Sequence, residues 1–184
     1  VHTGAVLHEA DILFAQNERH YSNHRSEEKD LVPGAPITEV CPLEHAAALK
    51  LGGFDVLSFA SNHCMDMGGQ AMLETIAALQ DQGFTVIGAG RNIEDARRPA
   101  VFERNGTRIA FLAYCSVLRS GYEASINKPG CAPMRAATYY QQVDYQPGTP
   151  PAIMTLADRD DLDALKADIA HARSLDRKST RLNS

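Results

Sequence analysis

Residues 54–69 read FDVLSFASNHCMDMGG, and the change of character along them decides the fold. Residues 54–60 are apolar on both faces, which suits a strand covered on both sides rather than one half open to water. The chain then turns polar at once through Ser61, Asn62, His63 and Asp66, and reaches Gly68 and Gly69. Beyond the glycines, Met72, Leu73, Ile76 and Leu79 fall at helical spacing, and Gly83 supplies the stop. Residues 84–87 form another short apolar strand. Strand, polar turn, helix and strand make the unit from which a helix-covered parallel sheet is built.

The alternation continues outward from this unit. Upstream, residues 10–15 (ADILFA) read as a buried strand, and residues 16–36 as a long polar loop. Loops beyond ~12–15 residues are uncommon and are often functional. Pro42 opens a helix over 43–51, which Gly52 and Gly53 end. Downstream, Asn92 caps a short helix with Asp95 at its third position, and Pro99 stops it. Residues 100–104 and 107–114 flank Asn105-Gly106, the strongest short hairpin signal. Residues 116–151, rich in Pro, Gly and polar side chains, read as an extended excursion. Asp158 begins a last helix with Leu162, Leu165 and Ile169 in one stripe. The fold class is therefore α/β, without internal repeats or a linker between domains.

Composition bounds the rest. With 44% hydrophobic and 22% charged residues over 184 positions, the chain is globular and not disordered, collagen-like or coiled-coil as a whole. A net charge of −5 argues against nucleic acid as a partner. No apolar run within the 184 residues approaches the ~20 residues that cross a bilayer, and the sequence as given does not open on a basic-then-apolar leader; its start at Val1 rather than Met is expected to be a cut end. Cys41, Cys64, Cys115 and Cys131 form no CxxC pair, so a zinc ribbon is not indicated; buried free thiols are the plain reading, and a disulfide stays open.

Ligands of open α/β sheets sit at the carboxyl ends of strands. Two segments leave strands there and turn polar: Gln16-Asn17-Glu18 and residues 61–66. Both open on one edge if their strands are parallel neighbours. Asn62 can ligate a divalent metal through its side-chain oxygen. His63 can ligate metal or hold a proton near a leaving group, and Asp66 can orient that imidazole. The plain alternative is a polar turn capping the helix at Gly69. Glu18 is a hard carboxylate suited to a metal, or else an ordinary exposed glutamate. His20 and His24 form only a weak HxxxH signal, and the turn at 88–92 (GAGRN) reads as a helix cap rather than a nucleotide loop. Arg97, Arg98, Arg104 and Arg108 are candidates for a local basic patch, or for scattered surface charge.

These residues resemble a known family. FDVLSFASNHCMDMG at 54–68, the helix after it, VIGAGRN at 86–92, ARRP at 96–99, the hairpin end IAFLAY at 109–114 and ADILFAQNE at 10–18 are together similar to CapA-like proteins, which are linked to bacterial capsule and poly-γ-glutamate synthesis. The resemblance spans residues 10–173. It implies a calcineurin-like metallophosphoesterase sandwich of α/β/β/α layers with two divalent metal ions. By position it makes Glu18 and Asn62 metal ligands, His63 the catalytic or phosphate-contacting histidine, and Asp66 the carboxylate behind it. Gln16 departs from the family's Asn-Leu-Glu segment. The family's opening Gly-Asp element and its later His-Trp-Gly and Gly-His-x-x-His elements are absent, and the chain has no Trp. The expectation is therefore a partial domain over 1–175, cut at both ends and inactive alone, with a basic tail over 176–184 that resembles a translated adapter. The parent is expected to be a phosphoesterase-like, metal-dependent hydrolase, membrane-anchored or exported, whose partners are the capsule polymer, its precursors or the membrane synthesis machinery. A non-catalytic accessory protein that binds the polymer is the alternative.

Overall fold

A computed structural model describes residues 4–23 and 39–180. His24 and the rest of the polar loop up to residue 38 lie outside the described residues, as does the tail beyond Thr180. After a single helical turn, α1 (Gly4–Leu7), the chain enters a three-stranded parallel sheet. Its strands are β1 (Phe14–Gln16), β2 (Val56–Ser58) and β3 (Thr85–Ile87), with β2 in the centre. The register pairs Phe14 with Val56 and Gln16 with Ser58, then Val56 with Thr85 and Ser58 with Ile87. All three β2 residues are buried, as an apolar central strand requires. β1 is shorter than the 10–15 run expected. Leu13 N–H is taken by the Asp55 carboxylate at 2.8 Å instead of by a ladder partner, so pairing begins at Phe14.

A 3-10 helix, Leu43–Gly52, stands where a helix over 43–51 was expected; Pro42 precedes it, and Gly53 ends it at φ +72°. The crossover between β2 and β3 is α2 (Gly68–Asp81). Its buried stripe is Gly68, Ala71, Met72, Thr75 and Leu79, while Leu73 and Ile76 are half-buried at the flank. Thr75 sits in that stripe because its hydroxyl is fully satisfied. It accepts from Tyr21 N–H at 2.9 Å and donates to Ala71 O at 2.7 Å, tying the loop after β1 to α2. Leu57, Leu79, Phe84, Tyr21 and Ala46 pack on one side of the sheet. Phe59, Met65, Met72, Tyr122 and three cysteines fill the region beneath the ends of the strands.

β4 (Ala89–Gly90) pairs antiparallel with β7 (Gly130–Cys131), and α3 (Ile93–Arg97) follows β4. Asn92 caps α3 as expected, its Oδ1 accepting from Asp95 N–H at 2.8 Å. β5 (Ala100–Arg104) and β6 (Thr107–Phe111) form the expected hairpin, closed by Asn105 at φ 51° and Gly106 at φ 74°. Both central residues at positive φ define the turn whose twist matches antiparallel strands.

The region expected to be an extended excursion with few regular elements carries two strands. Besides β7 it holds β8 (Ala136–Gln141), paired antiparallel with β9 (Ala152–Ala157). AATYYQ and AIMTLA lack a polar–apolar alternation, and the Pro/Gly-rich residues 142–151 between them dominate the composition. α4 (Arg159–Thr180) closes the described chain and runs past the boundary expected at 176. Asp158 Oδ1 caps it by accepting from Asp161 N–H at 3.0 Å. Arg135 then grips the Asp161 carboxylate with its side chain at 2.7 and 2.8 Å. No helix among the described residues is long and apolar enough to cross a membrane.

Candidate functional site

β1 and β2 are parallel neighbours in register, so the segments that follow them open on the same sheet edge. Asn17 N–H donates to Ser58 O at 2.8 Å and carries the chain past the end of β2. Glu18 is then exposed, and its Oε1 accepts from Ser61 Oγ at 3.1 Å. The same hydroxyl accepts from His63 N–H at 3.0 Å, so Ser61 links the carboxylate to the turn that carries Asn62 and His63. The two segments that the sequence singles out are therefore joined directly.

Within the turn, His63 and Asp66 form a pair. His63 Nδ1 lies 2.8 Å from Asp66 Oδ2, with the imidazole 23% exposed and the carboxylate fully buried. A carboxylate accepts, so Nδ1 carries the proton and Nε2 is the open ring nitrogen. Tyr122 OH donates to the other oxygen, Asp66 Oδ1. Burial first, then the Asp66 contact, push the Tyr122 hydroxyl well up, so it stays a donor at ordinary pH. α2 begins after Met67, whose side chain makes no cap hydrogen bond, and the Asp66 carboxylate is turned to His63 and Tyr122. Gly68, at φ +80°, makes the sharp entry into the helix.

His20 supports the turn from behind. It is fully buried, edge-on to Phe59 at 5.4 Å between ring centroids, and its Nε2 lies 2.9 Å from His63 O. A carbonyl only accepts, so Nε2 bears the proton. Nδ1 is buried without a hydrogen-bond partner among the described residues. Burial holds His20 below the usual histidine range and keeps it neutral. Its role is to hold main chain, and the HxxxH reading has only this one member to place.

The family described as Bacterial capsule synthesis protein PGA_cap matches residues 2–179. The chain belongs to this family. It is similar to the PGA biosynthesis protein CapA of Bacillus subtilis (strain 168), at 36% identity over 91 residues, 49% of this chain and 24% of that protein. The capsule biosynthesis protein CapA of Bacillus anthracis is 31% identical over 100 residues, 54% of this chain and 24% of that protein. An uncharacterized protein, y4sH, of Sinorhizobium fredii (strain NBRC 101917 / NGR234) is 26% identical over 71% of this chain and 28% of its own length. The chain thus spans about a quarter of the length of these relatives.

In this PGA_cap chain, Glu18 and Asn62 offer hard oxygen atoms of the kind a divalent cation takes. Among the described residues, no three His, Cys, Asp or Glu side chains converge as metal ligands. Gln16, at the position where the family pattern has Asn, turns its side-chain amide to Ala60 O at 3.2 Å. Beneath the site, Cys64, Cys115 and Cys131 are buried free thiols, and Cys41 is a half-buried one. Hydrogen bonding to Cys131, then burial, push the Cys115 thiol well up, away from reactive thiolate character. The four arginines of the candidate basic patch are each turned to a partner in the fold: Arg97 to Asp168, Arg98 to Asp95, Arg104 to Asp55 and Arg108 to Leu175 O.

Ser61 and Tyr122 escaped the sequence reading. Ser61 lay inside the stretch singled out, but a serine carries no signal of its own. Tyr122 reaches Asp66 across 56 positions from a segment without a local pattern. No spacing rule could have found it.

Proposed function

We propose that the whole protein acts in bacterial capsule or poly-γ-glutamate synthesis as a metal-dependent, phosphoesterase-like hydrolase. The observation that carries this reading is the His63–Asp66 pair at the carboxyl end of the central strand, joined through Ser61 to Glu18. Asp66 holds the Nδ1 proton, which leaves Nε2 to take or give a proton at a phosphoryl oxygen. Glu18 and Asn62 are the oxygen ligands that this chain contributes to a divalent cation, with the remaining ligands supplied from elsewhere in the protein. Such a cation, when bound, polarises the phosphoryl group and makes a bound water more acidic. In the same reading, the parallel sheet and the β8–β9 hairpin belong to the two sheets of an α/β/β/α sandwich. The partners are the capsule polymer or its precursors and the membrane machinery that makes it, with the protein exported or membrane-anchored.

The test uses the whole protein, with bis(p-nitrophenyl) phosphate and p-nitrophenyl phosphate as probes and elemental analysis for bound metal. Asn62→Ala is expected to lower metal content. His63→Ala is expected to lower turnover by about 100-fold or more with metal retained. Unchanged metal content and turnover in both variants would overturn the assignment. One observation favours a second reading, a non-catalytic polymer-binding accessory: the Gln16 amide is committed to Ala60 O. Polymer retention that survives chelation, without hydrolysis, would select it.

A further inference from the structure

We propose that Tyr122 is a positioning residue for His63, acting through the buried Asp66 carboxylate. The inference rests on the reading of His63 as the proton-handling group and adds the residue that fixes its orientation. The geometry is a line of three side chains from interior to surface. Tyr122 and Asp66 are both fully buried, and the imidazole at the end of the line is 23% exposed. Tyr122 OH engages Oδ1 while His63 Nδ1 engages Oδ2. A carboxylate gripped at one oxygen cannot turn about its last side-chain bond without breaking that grip. The second oxygen is then presented to Nδ1 in one direction only.

Tyr122 is itself fixed. Its backbone N–H donates to Arg119 O, and its carbonyl accepts from Cys131 N–H at 2.9 Å. Gly130 makes this packing possible, because a Cβ there would meet Tyr122 O and Ala124 N at 2.6 Å. The segment paired to β7 thus delivers one hydroxyl to the site from within the same buried cluster as Phe59 and Cys64. The consequence is tautomeric. With Oδ2 held toward the ring, Nδ1–H is the favoured form and the Nε2 lone pair faces outward.

The test reads the tautomer of His63 by long-range proton–nitrogen NMR on the whole protein. The wild type is expected to show the Nδ1–H form alone, with a slowly exchanging Tyr122 hydroxyl proton. Tyr122→Phe, which keeps the ring and its packing, is expected to give a mixture of the two tautomers, as is Asp66→Ala. A wild-type Tyr122 hydroxyl that exchanges freely overturns the proposal without any variant, and so does a Tyr122→Phe chain that keeps Nδ1–H alone. In the whole protein, Tyr122→Phe is expected to lower kcat about 10-fold with KM and bound metal unchanged. If the wild-type whole protein hydrolyses no phosphoester, the hydrolase reading fails while the NMR result still decides the role of Tyr122.

Discussion

Ser61 shows how much of this site hangs on one small side chain. Its hydroxyl donates to Glu18 and accepts from His63 N–H while only 2% of the residue is exposed. Ser61→Ala removes both links and leaves the partly buried His63 N–H to find another partner. A loss of about 1–3 kcal/mol is expected in urea denaturation. Glu18 should also lose its fixed position, visible as averaged side-chain NMR shifts. Gly88 makes the complementary case for backbone. It lies at φ +87°, and a Cβ there would meet Ala60 Cβ at 2.6 Å and Ala113 Cβ at 2.9 Å. Gly88→Ala is therefore expected to cost about 1–3 kcal/mol from crowding, beyond the strain of the left-handed backbone. A melting temperature equal to wild type would show that Ala60 and Ala113 can move apart. At this scale the sequence was half legible. The polar run through Asn62, His63 and Asp66 stood out directly after a buried strand, although spacing alone fits a polar turn before a helix equally well. The residues that hold them, Tyr122 and His20, are an ordinary tyrosine and a lone histidine until the fold brings them close.

Among the elements, α4 is held by two carboxylates as well as by its apolar stripe, in which Leu162 and Leu165 are half-buried and Ile169 is 39% exposed. Asp168 takes Arg97 at 2.6 and 2.8 Å and also accepts from Tyr114 OH at 2.6 Å. Asp161 takes Arg135 through its guanidinium and its backbone N–H. The Arg135 guanidinium, opposed by burial, holds the Asp161 carboxyl below its usual range. The folded state therefore binds the proton more weakly than the unfolded chain, whose aspartates titrate near ~3.9. The stabilisation is fully present above that value and is lost as pH falls through the lowered one. Acid titration followed by circular dichroism should show α4 detaching below about pH 4. Asp161→Asn should weaken the docking at neutral pH and flatten that part of the curve; an identical acid profile in the variant would show that other carboxylates control the transition. Asn92→Ala should cost about 1 kcal/mol through loss of the α3 cap. Caps and the Asn-Gly turn were readable because their chemistry is local. β8 and β9 were not, since strands without alternation announce neither face, and their pairing depends on a partner beyond a proline-rich connection.

Taken whole, the molecule is unevenly covered. The parallel sheet is buried at its centre, with α2 and the 3-10 helix packed beside it, whereas the β8–β9 hairpin is exposed along nearly all its length. Tyr140 and its cross-strand neighbour Ile153 are 69% and 70% exposed. Tyr139, opposite Met154 on the other face, is 53% exposed. Between residues 136 and 157 the only charged side chain is Asp144, so the hairpin lacks the lysines and inward charges that usually keep open strands apart. Both requirements for edge-to-edge association, exposed apolar side chains and an uncharged strand, are met in one place. The 184-residue chain is therefore expected to self-associate as its concentration rises. Because the contact is apolar, added salt should not dissolve it, unlike an association of surface charges, which salt screens. Replacing the exposed pair with opposite charges, Tyr140→Lys with Ile153→Glu, keeps the strands paired and removes the apolar face. Sedimentation velocity across a concentration series should show rising weight-average sedimentation coefficients for the wild type and a constant monomer value for the double variant. If the variant associates as strongly as the wild type, the hairpin is not the adhesive surface, and the groove between the β5–β6 hairpin and α4, lined by Val101, Leu112 and Ile169, becomes the next surface to charge.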